Sequence, residues 1–201
     1  MSTPTVGVLA LQGDVREHVE ALERLGVRTL RVRRVEELGR CDGLVLPGGE
    51  STTMIKLASV FGIRDALREA ITGGLPTFGT CAGMILLADR LRDGAPGQET
   101  LGGLDATVRR NAFGRQVDSF EADLDFPMFE DPVHAVFIRA PWIEEAGPDV
   151  EVLASVAVGE GDGAPSRIVA VRQGRLLATS FHPEVDDDLR LHRHFLDLVT
   201  A

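Results

Sequence analysis

Cys81 sits at the centre of Gly79-Thr80-Cys81-Ala82-Gly83, with a glycine two positions away on each side. A strand-like run, Pro76 to Thr80, leads in, and a helix-like run, Ala82 to Leu91, leads out. This is the nucleophile-elbow pattern G-x-S-x-G with a thiol replacing the hydroxyl. The tight turn brings neighbouring backbone too close for a β-carbon, hence the flanking glycines. It also lifts the sulfur above the sheet at a helix N-terminus, where N–H groups and the helix dipole favour thiolate over thiol. A cysteine without such a setting behaves as a small buried hydrophobe. Cys41, in Gly39-Arg40-Cys41-Asp42, is read that way.

A thiolate needs a base, and the base needs a group to orient it. Of the five histidines, His18, His134, His192 and His194 fall on helix-like or strand-like segments and read as surface or packing residues. His182 follows the apolar run Leu176 to Phe181 and heads His182-Pro183-Glu184. Pro183 disfavours helical geometry at the residue before it, so His182 is expected in extended chain at a strand end. Two apart in extended chain, His182 and Glu184 project to the same side. The carboxylate can then hold one ring nitrogen while the other faces Cys81. A solvated loop histidine is the competing reading, and the elbow at Cys81 weighs against it.

The third element is Pro47-Gly48-Gly49-Glu50-Ser51, again after an apolar strand. Acyl transfer requires N–H donors aimed at the developing oxyanion. That hole is assigned to the N–H groups of Gly49 and of Ala82, the residue after the nucleophile. Alone, the same five residues also read as an ordinary turn feeding a helix capped by Ser51.

These loops must be held by a sheet. Val6 to Leu11, Thr29 to Val32, Gly43 to Leu46 and Pro76 to Thr80 read as strands, the continuous apolar ones as expected of a sheet covered on both faces. Between them, Val15, Val19, Leu22 and Leu25 recur at helical spacing, with Asp14 as N-cap and Gly26 as stop. Thr52 to Val60 and Ile63 to Ile71 also read as helices. Alternation of this kind predicts βαβ units and an α/β fold with a mostly parallel sheet. Ligand sites in such sheets collect at the carboxyl ends of strands, where Cys81 and His182 both fall. Arg92 to Thr100 is polar and turn-rich, a surface loop. Beyond it come short strands: Ala106 to Arg109, Val133 to Ile138, Val150 to Val156, Ile168 to Val171 and Leu176 to Ser180. Gly159 to Pro165 and Gln173-Gly174 read as hairpin turns. A last helix runs from Asp188 to Val199, with Leu189, Leu196 and Val199 inward.

The chain has 201 residues, 44% of them hydrophobic, enough for one α/β domain over residues 1–201 with a real core. Lys and Arg total 21 against 31 Asp and Glu, a formal charge of −10. That balance argues against nucleic acid or an anionic membrane as partner, since both require clustered cations. Two cysteines are too few for a disulfide framework. No signal-peptide pattern opens the chain and no apolar stretch approaches a membrane span. A cytoplasmic protein without metal or cofactor is expected.

The cysteine elbow and the His-x-Glu pair together resemble the class I, triad-type glutamine amidotransferase family. Longer blocks extend the likeness: LQGDVREH (Leu11 to His18), LPGGESTTM (Leu46 to Met54), FGTCAGMILLA (Phe78 to Ala88), RNAFGRQVDSFEADL (Arg110 to Leu124), FIRAP (Phe137 to Pro141) and SFHPE (Ser180 to Glu184). They are similar, nearly end to end, to the glutaminase-subunit family of pyridoxal 5′-phosphate synthases. GGESTTM, FGRQVDSFE and FIRAP separate that family from other triad amidotransferases.

The resemblance implies a three-layer, flavodoxin-like sheet flanked by helices. It implies that Cys81 attacks the side-chain amide of L-glutamine and that His182 delivers a proton to the departing ammonia. Water then cleaves the glutamyl thioester with His182 as base. It implies glutamine contacts at Gly49, Glu50 and Ser51, at Arg110, and at Ile138 with Arg139. A guanidinium suits a substrate α-carboxylate, although spacing alone leaves Arg110 open to a surface salt bridge beside Arg109. The implied partner is the synthase subunit, a (β/α)₈ barrel that receives the ammonia and builds the cofactor from ribose 5-phosphate and glyceraldehyde 3-phosphate. The glutaminase of this family is poorly active until it docks. A stand-alone triad hydrolase, such as a γ-glutamyl peptide hydrolase, is the rival within enzymes. A non-catalytic regulatory subunit is the rival outside them, and it would be expected to lack one of Cys81, His182 and Glu184.

Overall fold

The computed structural model of the chain describes residues 3–110, 119–158 and 165–201. Its first half alternates strand and helix: β1 (Thr5–Leu9), α1 (Val15–Arg24), β2 (Arg28–Val32), α2 (Val35–Leu38), β3 (Gly43–Leu46), α3 (Ser51–Val60), α4 (Arg64–Thr72), β4 (Thr77–Thr80) and α5 (Ala82–Leu87). The second half is mostly strand: β5 (Ala88–Arg92), β6 (Leu104–Arg109), β7 (Ser119–Leu124), β8 (Val133–Ile138), β9 (Trp142–Ala146), β10 (Glu151–Ala157), β11 (Ser166–Gln173) and β12 (Leu176–Thr179), closed by α6 (Arg190–Thr200).

The main sheet has the order β2-β1-β3-β4-β12-β11-β9-β6-β5, with β10 on β11. From β2 through β12 every pairing is parallel. Beyond β12 it turns antiparallel, until β5 returns parallel to β6. Side chains of one strand alternate between two cores. Leu44 and Leu46 join Met54, Ile63, Leu67 and Met84 on one face. Val45, with Val6 and Val8, joins Leu22, Leu191 and Phe195 on the other. Burial on both faces is why these strands are apolar at every position rather than at every second one. The result is three layers: α3, α4 and α5, then the sheet, then α1 and α6. The expected mostly parallel, helix-flanked α/β sheet is therefore observed.

Several expectations need correcting. The helix after Cys81 stops at Leu87 instead of Leu91, because Ala88 takes an extended backbone (φ −64°, ψ 140°) and starts β5. Arg92 consequently ends a strand rather than opening a loop. β7 and β9, as well as the short α2, were not anticipated. The last helix begins at Arg190, and its inward face carries Leu191, His192, Phe195 and Leu198, while Leu189, Leu196 and Val199 are only half-buried. Gln173-Gly174 does join antiparallel β11 and β12. The other proposed turn falls largely on 159–164, outside the described residues.

β7 and β8 form a separate antiparallel ribbon. Phe120 and Phe137 stack across it at 4.4 Å, and Phe137 packs on Phe181 at 5.5 Å. The His182 N–H donates to Val136 O of β8 at 3.1 Å. The ribbon thus holds the strand end that carries the imidazole.

Candidate active site

At the end of β4, Cys81 has φ 48° and ψ −101°, a backbone conformation that a residue with a β-carbon seldom adopts. Its N–H donates to Thr179 O of β12 at 2.8 Å. The flanking glycines are required by contact. A β-carbon on Gly79 would lie 2.6 Å from the Gly83 carbonyl carbon, and one on Gly83 would lie 2.0 Å from Leu46 O. The turn is closed so tightly that α5 leans on β3 and β4 through bare backbone.

His182 faces that sulfur. Its Nδ1 lies 2.8 Å from Glu184 Oε1, and Cys81 lines the same cavity close enough for its sulfur to raise the ring's pKa. Both His182 and Glu184 are buried, Glu184 with none of its side chain exposed. The three residues expected to act together are thus brought together, Cys81 and His182 at the cavity and Glu184 bonded behind the ring. Burial would lower the His182 pKa, but hydrogen bonds with Asp14, Cys81 and Glu184 outweigh it and raise the ring well above its ordinary value, to about 12. Burial pushes the Glu184 carboxyl up, and the His182 hydrogen bond pulls it back. The pair therefore supports an imidazolium beneath the sulfur, the protonation state needed to expel an amine.

Asp14 was expected to cap α1. It occupies the N-cap position without a side-chain cap bond. Instead its Oδ2 lies 3.4 Å from His182 Nδ1, the nitrogen already taken by Glu184. Hydrogen bonding with His182 lowers the Asp14 pKa in turn. Asp14, His182 and Glu184 offer ligand atoms within 4.8 Å of one another. Nδ1 is nonetheless already bonded to Glu184, so the arrangement serves orientation of the imidazole.

The Gly48-Gly49 loop closes the other wall. Gly49 has φ 152°, and a β-carbon there would meet Gln12 Oε1 at 2.5 Å. That oxygen accepts the Glu50 N–H at 2.7 Å. Helix α3 is capped by the Glu50 side chain, not by Ser51: its oxygens accept the Thr52 and Thr53 N–H groups. Burial would raise the Glu50 carboxyl, but these bonds hold it down at about 2. The charge also draws in Arg110, whose Nη2 lies 2.9 Å from Glu50 Oε1. Ser51 is buried and accepts from Gln98 Nε2.

A cavity of about 450 Å³ joins these parts. Gly49, Glu50, Ser51, Arg110, Ile138 and Arg139 all line it. Cys81, Ala82 and His182 form its floor, and Glu184 stands behind His182. Arg139 has φ 44°. Every residue singled out for chemistry or glutamine contact is thus at this cavity or directly behind it. Residues 111–118 of the block that follows Arg110 lie outside the described residues. Sequence reasoning missed two participants: Asp14, and His18, which is buried behind Glu184. Their signal was present in LQGDVREH, where His18 falls on the apolar stripe of Val15, Val19 and Leu22.

A family model described as the SNO glutamine amidotransferase family matches residues 8–201. A pyridoxal 5′-phosphate synthase subunit PdxT from Kineococcus radiotolerans is 65% identical over 199 residues, covering 98% of this chain and 95% of the relative. One from a Nocardioides species is 63% identical, covering 99% and 98%. A crystal structure of a glutamine amidotransferase is 53% identical, with a TM-score of 0.87 over 98% of this chain and 99% of that one. A putative GMP synthase subunit from Thermoplasma acidophilum, 18% identical with a TM-score of 0.71 over 100% and 96% of the two chains, shares the fold.

Proposed function

The chain belongs to the SNO glutamine amidotransferase family, and on that premise we propose that it is the glutaminase subunit of a pyridoxal 5′-phosphate synthase, with Cys81, His182 and Glu184 as its catalytic residues. The observation that carries the reading is the meeting of Cys81 and His182 at one cavity, with His182 bonded from behind by buried Glu184. The relatives' name supplies the substrate chemistry and the wider assembly.

The Cys81 thiolate attacks the side-chain amide carbon of L-glutamine. The carbonyl oxygen becomes an oxyanion, stabilised by the N–H groups of Gly49 and Ala82. Cys81's own N–H is committed to Thr179 O, which leaves Ala82 as the donor on the elbow. As the C–N bond breaks, His182 gives its Nε2 proton to the departing nitrogen and ammonia leaves. The neutral imidazole then takes a proton from water, whose oxygen attacks the thioester. Glutamate departs and the Cys81–His182 pair is restored. Glu184 holds Nδ1–H throughout, fixing the tautomer that turns Nε2 to the sulfur. Arg110 and Arg139, both lining the cavity, serve as anchors for the substrate α-carboxylate, with Glu50, Ser51 and Ile138 beside them.

The ammonia passes to a barrel-shaped synthase subunit. The reading is of a cytoplasmic protein: its two free cysteines suit a reducing compartment, and among the described residues no helix is long and apolar enough to cross a membrane. Ammonia release from glutamine, with and without the synthase subunit, is the test. Cys81→Ala is expected to abolish it, losing at least about 10⁴-fold in kcat. Release that persists in that variant sinks the mechanism, and equal rates without the partner favour a stand-alone hydrolase.

A further inference from the structure

Behind Glu184, on the side away from the cavity, two more histidines stand in line. His18 on α1 and His192 on α6 are fully buried. His18 Nδ1 lies 3.0 Å from His192 Nε2, and His18 Nε2 lies 3.1 Å from Thr80 Oγ1. The same Nε2 faces Glu184 Oε2 at 3.5 Å. While Oε1 is taken by His182, Oε2 has no hydrogen-bond partner among the described residues, and neither has His192 Nδ1.

One arrangement of protons suits these atoms better than the other. Burial pulls both rings below the usual imidazole range, His192 to about 4 and His18 well below, so each is neutral and carries one N–H. Suppose that hydrogen sits on His18 Nδ1 and is donated to His192 Nε2. The His192 hydrogen is then left on Nδ1 as a buried donor without an acceptor, and His18 turns a lone pair on the Glu184 carboxylate. In the reverse arrangement His192 Nε2–H donates to His18 Nδ1. His18 Nε2–H then points between Thr80 Oγ1 and Glu184 Oε2, and only a lone pair, at His192 Nδ1, is unused. An unmet buried acceptor is the smaller penalty.

We propose that His18, set by His192, is a positioning residue for the reaction: its Nε2–H holds Glu184 Oε2, so that Oε1 stays on His182 Nδ1 and the carboxylate stays ionised. The proposal rests on the Cys81–His182–Glu184 reading and extends it inward by one layer. A carboxylate with no exposed surface, held at one oxygen only, can turn away from the imidazole or take up a proton. A donor facing its second oxygen opposes both. Thr80, the other acceptor, immediately precedes Cys81, so the same N–H ties the elbow to the third member of the row. The groups facing this network are Thr80 and Phe78 from β4, His192 from α6 with Asp188 acting on it, and Glu184 with His182 and Asp14 beyond.

The test uses glutamine hydrolysis by the assembled complex. His18→Leu removes the donor, and kcat is expected to fall roughly tenfold to a hundredfold while KM stays within about twofold. Weaker support from Glu184 lowers the His182 pKa, so the alkaline limb of the kcat/KM profile moves to lower pH. His18→Gln carries an amide N–H and is expected to recover most of kcat and return the limb. A purely structural role would move the melting temperature and leave the limb in place. A folded His18→Leu with unchanged kcat and limb overturns the proposal, as does a folded His18→Gln that recovers neither. Nitrogen NMR of the unaltered protein decides independently of any variant: a His18 hydrogen on Nδ1 overturns the idea, and one on Nε2 supports it. Persistent activity in Cys81→Ala would instead remove the underlying triad, a failure that the His18 tautomer neither causes nor conceals.

Discussion

His182 Nδ1 has one hydrogen and two carboxylates competing for it, Glu184 at 2.8 Å and Asp14 at 3.4 Å. The two are not equivalent. Glu184 is sealed and fixed, whereas the Asp14 side chain is 40% exposed at the rim of the cavity. Asp14 therefore contributes charge more than geometry, and solvent screens part of it. Asp14→Asn keeps the shape and removes the charge. Because Asp14 raises the His182 pKa, its loss lowers it, and the imidazolium that protonates the leaving nitrogen is then lost at lower pH. The alkaline limb of thioester formation is expected to move down by about one pH unit or less, with little change below neutrality. An unmoved limb in a pH profile of single-turnover kinetics would show that Asp14 does not reach the ring. At this scale the sequence showed the residues whose roles are written in a motif. Cys81 has its glycines and His182 has Pro183 and Glu184. Asp14 does stand at the N-cap of α1, as its place before the helix suggests, but its carboxylate turns to His182 rather than to the helix N–H groups, and no local pattern marks that.

At the scale of elements, the elbow depends on a turn packed against a strand from elsewhere in the chain. Gly83 is in α5, yet the atom that forbids a side chain is Leu46 O, at the end of β3. Gly83→Ala must push α5 and β3 apart or tilt the helix whose first N–H, at Ala82, is assigned to the oxyanion. A loss of about 3 kcal/mol is expected, a fall in Tm of roughly 6–12 °C for a chain of this size. Calorimetry would contradict the packing argument if Tm fell by less than about 2 °C. Elements buried on both faces were legible for the same reason: Gly43–Leu46 has no polar position to blur it. Those missed are mixed in character. Trp142–Ala146 carries two glutamates, and Glu144 and Glu145 are spent on Arg92 of β5 and Arg109 of β6. Ala88–Arg92 follows a helix without a break, and no glycine or proline marks the change of backbone at Ala88. Long-range pairing decides both, and local periodicity does not carry it.

For the molecule as a whole, the buried histidines govern its behaviour in acid. His18 and His192 are held neutral, with His192 lowered to about 4. In the unfolded chain both titrate near about 6.5. Below that value the unfolded state binds protons that the folded state refuses, so stability falls as pH falls towards 4. These two groups give a slope of about 2.7 kcal/mol per pH unit, or roughly 5–11 °C in Tm per unit, and half-buried His194, also lowered by burial, adds to it near 6.5. His182 adds no slope here, because its raised pKa keeps it protonated in both states below about 6.5. Glu184 offsets part of the loss, since its raised pKa lets the folded state take up a proton earlier than the unfolded one. Asp14, Glu50 and Asp188 have lowered values, so their contribution is present above the ordinary 3.8 to 4.5 and disappears only below it. Apart from Glu184, the carboxylates therefore act mainly at the acid end of the histidine window. Thermal melts at steps from pH 7 to pH 4.5 are expected to show the decline beginning near pH 6.5, and His18→Gln, with one titrating ring fewer, to remove about 1.4 kcal/mol per pH unit from its slope. Melting temperatures that stay level down to pH 5 would mean that these two rings accept protons without unfolding. The neutral, ordered pair behind Glu184 would then be excluded.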